Sequence, residues 1–233
     1  MIILLVILSA AFFYLFGAVW VEHKSHLVWS ILSLVVLIAS VAAFALHDVN
    51  HLGMKTETTT KTVKLASISK TANLLVYKQL GTGSEKVYVY KTTNNSKKHH
   101  TWVDKDAKVK VSTTTGAAKL VIKKQQYVYK NGFSKLMFGV LGDNKETKQI
   151  SYNFKLNSTW VSLSTSQAKK LAAAMKNSTN QAQLQTAIAS QVKAKLTAAL
   201  TENPTMSAAE QAKLQTKYTN EAKAQAIRSL LNK

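Results

Sequence analysis

The chain has 233 residues, 30 lysines against one arginine (Arg228), a formal net charge of +20 and no cysteine. The missing cysteine excludes disulfides, a thiolate nucleophile and zinc–thiolate sites. Lysine is a hydrated point charge without the bidentate fork of arginine. The charge therefore reads as diffuse attraction to polyanions and excludes sequence-specific nucleic-acid recognition. Solubility is the plainer use of the same lysines.

The first 46 residues hold two apolar runs, 1–21 and 27–46, without a charged side chain in either. Glu22, His23, Lys24, Ser25 and His26 separate them. A helix of ~20 residues, rising ~1.5 Å per residue, crosses a hydrocarbon core of ~30 Å. A five-residue connection makes the two helices antiparallel neighbours. A cleaved secretory signal would show a basic start and a small-x-small exit. No Lys or Arg precedes this run, and it ends on Trp20 and Val21, so a retained span is expected. Trp20 and Trp29 flank the loop at headgroup depth, where indoles settle. Gly17, Ala18, Ser30 and Ser33 would let the helices approach closely. Small residues are common in such helices, however, and composition alone explains them.

Residues 51–61 read as a linker, or from residue 55 as the frayed start of a strand, because 55–62 carry no large apolar side chain. Short strands follow over 62–69, 73–80, 86–92, 108–113, 119–123, 126–130, 149–156 and 159–163. Gly81-Thr82-Gly83-Ser84-Glu85 and Asn131-Gly132 mark turns between them. Eight short strands at close spacing predict a small antiparallel sandwich or barrel over 62–163. Val87-Tyr88-Val89-Tyr90-Lys91 and Tyr127-Val128-Tyr129-Lys130 share a Tyr-Val-Tyr-Lys core. With Tyr77 they are expected to pack across strands; an aromatic-plus-cation platform for a glycan or single strand is the functional alternative.

From residue 164 the composition turns to Ala, Gln, Lys and Leu, strong helix formers. Ser164 or Thr165 caps a helix to about Asn177, and a second runs from Ser178 to Pro204. Ser207-Ala208-Ala209-Glu210 is a capping box that opens a third. Leu184, Ile188, Val192, Leu196 and Leu200 recur every four residues, as do Leu214, Tyr218, Ala222, Ala226 and Leu230. The two stripes predict an antiparallel helical hairpin. The expected organisation is α+β and membrane-anchored: a transmembrane hairpin over 1–50, a linker over 51–61, an antiparallel β domain over 62–163 and a helical region over 164–233.

Chemistry-bearing clusters are sparse. His47 and His51 share one helix face with Asp48 beside them, but two rings fall short of a four-ligand metal site. His23 and His26 lie at the opposite end of the spans, and His99-His100 are adjacent and divergent. Asp104 and Asp106 flank Lys105 and would share one strand face; among so many lysines they read as salt-bridged rather than as an acid/base pair. Gly81-x-Gly83 is not followed by a helix, so it is a turn and not a phosphate loop. No catalytic, cofactor-binding or metal-binding residue is assigned, and no cofactor is expected.

The paired apolar runs with Val21-Glu22-His23-Lys24 between them, the Lys/Thr/Tyr-rich β region and the Ala/Gln/Lys tail resemble an uncharacterised family of small two-helix membrane proteins of lactic-acid bacteria. That family carries a domain of unknown function, so the resemblance implies no activity and transfers no site residue. The function expected is a non-enzymatic cell-envelope protein that presents a lysine-rich domain to an anionic wall polymer or to lipid headgroups. The alternative is an accessory subunit of an integral membrane complex such as a transporter. The bulk is expected outside the cytoplasm, with Lys24 in the cytoplasmic loop, although Lys55, Lys61 and Lys64 after the second run argue the other way. The lack of cysteine favours a bacterial source.

Overall fold

The charge-free run at the start forms α1 (Ile2–Tyr14), continued by one π-type turn over Leu15–Val19; the second forms α2 (His26–Asn50). The computed structural model describes residues 1–81 and 85–231. Both helices, Ile2–Val19 and His26–Asn50, are long and apolar enough to cross a membrane. Outward residues such as Ile7, Val28 and Ile38 are about 60% exposed, whereas Ser9, Ser33 and Ser40 are buried. Small residues therefore line the contact between the helices. Their hydroxyls donate to carbonyls one turn back, Ser33 to Trp29 at 2.7 Å and Ser40 to Val36 at 2.6 Å, so no polar atom there is orphaned. A Cβ on Gly17 would come within 3.2 Å of Ser30 Oγ. At Gly17, Ser30 and Ser33 small size thus serves packing and not mere composition, which corrects the sequence reading there, while Ala18 is exposed. Phe16 stacks on Trp29 at 6.0 Å and meets Trp20 edge-on at 5.5 Å, gathering the aromatic residues at the loop end.

Two compact units emerge from the chain: Met1–Thr59 with Lys124–Gln149, and Thr60–Lys123 with Ile150–Lys233. The first holds the helical hairpin, a short helix α3 (Gly132–Phe138) followed by a 3₁₀ turn (Gly139–Leu141), and strand segments of β1 (Met54–Ala66), β6 (Lys119–Tyr129) and β7 (Glu146–Leu156). Residues 54–61, read as a linker or the frayed start of a strand, are the opening half of β1. Alternating Thr and Lys suit an exposed strand, and nearly every side chain there is exposed.

The second unit contains the remainder of those strands with β2 (Asn73–Gln79), β3 (Lys86–Thr92), β4 (Asn95–His100), β5 (Ala107–Thr113) and β8 (Trp160–Ser164). Their order is β5-β7-β6-β1-β3-β2-β8, and off this path β4 pairs with β3. The sheet is mixed and curled as a half-barrel, not antiparallel throughout. β2–β3 is an antiparallel hairpin, but β8 pairs parallel to β2, and β7 pairs parallel to β5. Alternation along a strand reports which face is buried and is silent on strand direction, which is why the sequence misled here. The 81–85 turn has residues 82–84 outside those described; the Leu80 amide donates to Glu85 O at 2.9 Å.

Leu65, Leu75, Leu120, Phe154 and Trp160 fill one face of the sheet together with Tyr88 and Tyr90. Tyr88 and Tyr90 lie 5.2 and 5.7 Å from Phe154. Burial pushes both phenols up, with Tyr77 adding to Tyr88 and Tyr152 to Tyr90. Two tyrosines of the first Tyr-Val-Tyr-Lys copy are therefore core residues.

α4 (Thr165–Ala174) is closed by a capping box in which Ser164 accepts from the Gln167 amide and Gln167 accepts from the Ser164 amide. α5 (Ser178–Glu202) begins on Asn177 and α6 (Ala208–Leu231) follows the Ser207–Glu210 box. Lys195 on α5 pairs with Glu221 on α6 at 3.0 Å. Burial pushes the Glu221 carboxyl up, but hydrogen bonds from Lys195 and Ser158 outweigh it and hold it below its ordinary range. Leu171, Ala224 and Ile227 pack on Leu74, Val161 and Leu163 of β2 and β8. Residues 165–231 are thus mainly helical, and they fall in the same compact unit as β2–β5 and β8. α6 buries Ala222 of the expected stripe together with Ala224 and Ile227, a face widened because it covers the sheet as well as meeting α5.

Candidate functional site

α2 ends where the first unit becomes polar. His51 closes the helix in the left-handed conformation (φ 54°), and Gly53 follows at φ 81°. A Cβ at Gly53 would meet Ser134 Oγ at 3.1 Å and Phe138 at 3.2 Å, so both conformation and space require glycine. This double turn swings the chain from helix into β1 and leaves His47, 1% exposed, facing β6 and the segment after it.

Both ring nitrogens of His47 meet acceptors. Nδ1 donates to the Leu52 carbonyl at 2.5 Å, and Nε2 hydrogen-bonds Asp143 Oδ2 at 2.6 Å. The other carboxylate oxygen, Oδ1, accepts the Tyr129 hydroxyl at 2.5 Å. Phe138 lies flat on the imidazole, with centroids 4.0 Å apart and planes within 4°. Burial, then the hydrogen bond to Asp143 and its negative charge, push the Tyr129 phenol up to about 12. α3 exists to place Phe138: Asn131 caps it by accepting the Ser134 amide at 2.8 Å. His51 stacks on Tyr127 at 3.7 Å, and Lys148 lies over the same ring at 5.3 Å.

The sequence singled out His47 and His51 together. The structure separates their roles: His47 enters a His–Asp–Tyr network and His51 an aromatic stack. Asp48 joins neither. Asp143 and Phe138 went unnoticed, and Tyr129 was noticed only as part of a Tyr-Val-Tyr-Lys segment, because Asp143 lies 96 positions from His47, where no local pattern connects them. A signal for α3 was present: Phe133, Leu136, Met137 and Val140 recur at helical spacing after the Asn131 cap. The network joins His47 of α2, 1% exposed, through Asp143 to Tyr129 of β6. It therefore fixes the helix end on the strand hairpin. Among the described residues no group of three or more His, Asp or Glu is placed to hold a metal ion.

The remaining candidates fall elsewhere. Asp104 and Asp106 occupy a turn before β5, not a strand. Asp104 Oδ1 accepts the Asp106 amide at 3.4 Å, and among the described residues neither carboxylate is in an ion pair, contrary to the expected lysine bridge. A cleft of about 300 Å³ in the second unit collects Asp104 with Glu85, Lys86 and Tyr88, without Asp106 or His99. His99 instead stacks on Tyr90 at 5.5 Å. A larger cavity, about 640 Å³, lies between the α4–α6 layer and β2; it is lined by aliphatic, lysine and amide or hydroxyl side chains and has no carboxylate or histidine. His26 Nδ1 donates to the His23 carbonyl at 2.7 Å in the helix–helix loop, far from a second ligand.

A family described as a domain of unknown function (DUF4811) matches residues 22–171. The chain belongs to this family. No curated protein and no solved structure matches it. The DUF4811 match takes in α2, all eight strands and most of α4. His47, Tyr129, Phe138 and Asp143 all lie within it, so the network belongs to the DUF4811 domain itself, whereas α1, α5 and α6 lie outside.

Proposed function

We propose that this DUF4811 protein is a membrane-anchored, non-enzymatic component of a bacterial cell envelope. Its helical hairpin holds a lysine-rich domain against an anionic polymer or lipid surface. The observation that carries this reading is the charge left without a counter-charge. Residues 51–163 have 20 basic against 6 acidic side chains. Among the described residues, one lysine, Lys195, pairs with a carboxylate. Asp143 is committed to His47 and Tyr129, and Glu210 to its helix cap. Lysines on β1, β4 and β5 stand exposed, including Lys55, Lys61, Lys97, Lys98 and Lys108. Each lysine near an anionic surface contributes ~1 kcal/mol, so a few suffice for retention.

The test uses the full chain in nanodiscs of neutral lipid, passed over an immobilised polyphosphate-type wall polymer across a salt series. Retention at low salt that falls steeply as salt rises supports the reading. Absent or salt-indifferent retention removes it. A stoichiometric integral membrane protein co-purifying in mild detergent would favour the accessory-subunit reading instead.

A further inference from the structure

We propose that Gly132–Leu141 is a third membrane contact, lying in the headgroup–acyl boundary of the leaflet where α2 ends and inserting Phe133, Leu136 and Val140. This rests on reading α1 and α2 as membrane spans. The segment is apolar out of proportion to its place. Phe133, Leu136 and Val140 are 69%, 58% and 65% exposed, while Ser134 and Phe138 face inward. Three large apolar side chains exposed within one short helix and turn make a patch that water disfavours and a bilayer interface accepts.

Position chooses the bilayer over other occupants. The carbonyls of Leu136 and Met137 accept the Met1 amine at 3.1 Å. Leu136 and Met137 border the same apolar groove as Leu4, Leu5 and Leu8 of α1. The patch is thus continuous with the lipid-facing side of the hairpin. On the α2 side, Phe138 stacks on His47, so α3 sits at that helix end by fixed contacts. From Trp29, at the loop end, to His47 is 18 residues, or ~27 Å of helix, close to the ~30 Å of a hydrocarbon core. The segment therefore meets the membrane at its second boundary. Exposed Lys130 and Lys145 flank it and exposed Lys135 lies within it, where their ammonium groups reach anionic headgroups. The His47–Asp143–Tyr129 network then sets the depth of this wedge.

The chain has no cysteine, so each single substitution gives one labelling site. Full-length Phe133→Cys, Leu136→Cys and Val140→Cys, each carrying a nitroxide, are compared in nanodiscs with Ile38→Cys on α2 and Asn144→Cys beyond the patch. Collision with oxygen reports the hydrocarbon, and collision with a nickel chelate reports water. The expected result is nickel accessibility several-fold lower at 133, 136 and 140 than at 144, with oxygen accessibility raised toward that at 38. Labels at 133, 136 and 140 as nickel-accessible as 144 overturn the proposal while site 38 still reports hydrocarbon. Nickel accessibility at 38 shows instead that the spanning reading itself has failed. Spin–spin broadening at 136 assigns the patch to a second copy and also overturns the proposal.

Discussion

Both ring nitrogens of His47 are engaged, Nδ1 by the Leu52 carbonyl and Nε2 by the Asp143 carboxylate. Removing the ring leaves a carbonyl and a carboxylate short of a partner; a hydrogen bond to a charged group is worth ~1.5–3 kcal/mol, so His47→Ala and Asp143→Asn should each cost about that much in a thermal melt in mild detergent. The double variant should cost less than the sum, because the two act in one network. Tyr129 adds a pH signature. Its phenol is held up to about 12 when folded, against 10.0 when free, so the folded chain keeps a proton that the unfolded chain releases. Stabilisation by Tyr129 is therefore complete below pH 10 and is lost as pH rises toward 12. The stability gap between wild type and Tyr129→Phe should be constant up to pH 10 and close by pH 12. A gap that widens with alkali would contradict the network. At this scale the sequence showed half the site. The pair at i and i+4 put His47 and His51 on one face, yet only the fold brings Asp143 to one of them.

Elements were legible where a local rule governs them. Ser164, Asn177 and Ser207 start α4, α5 and α6 because each provides an oxygen for the first helical amides. Ser164→Ala should cost ~1 kcal/mol, read as a lower melting temperature of the second unit. Apolar periodicity found the strands of the hairpins but not β4, whose Asn-Ser-Lys-Lys-His-His has no alternation and is held by pairing with β3. The parallel pairs of β2 with β8 and β5 with β7 join segments far apart in sequence, so nothing local announces them. In the helical hairpin the deciding contact is Gly17 against Ser30. Gly17→Leu should spread the two helices and raise detergent-dependent aggregation, and Ser30→Gly in the same chain should recover part of the loss, because it vacates the space the new side chain needs. No recovery would show that glycine serves backbone conformation there and not close approach.

For the whole molecule, apolar length and lysine excess were legible from composition, since neither needs a fold to be counted. The side of the membrane was not, because the loop lysine Lys24 and the β1 lysines Lys55, Lys61 and Lys64 pull in opposite directions, and the local rule weakens for a long folded segment. The structure adds that Lys55, Lys61 and Lys64 are strand residues of β1. We propose that the hairpin crosses the membrane with its loop in the cytoplasm and the sheet and α4–α6 outside, which would put anionic wall polymers and outer-leaflet lipids within reach. Protease added to intact cells stripped of their wall tests this directly, followed by blotting for an epitope after α6 alongside a cytoplasmic marker. The account predicts that the epitope is lost while the marker survives. An epitope that resists until the cells are lysed places the lysine-rich part inside and contradicts it.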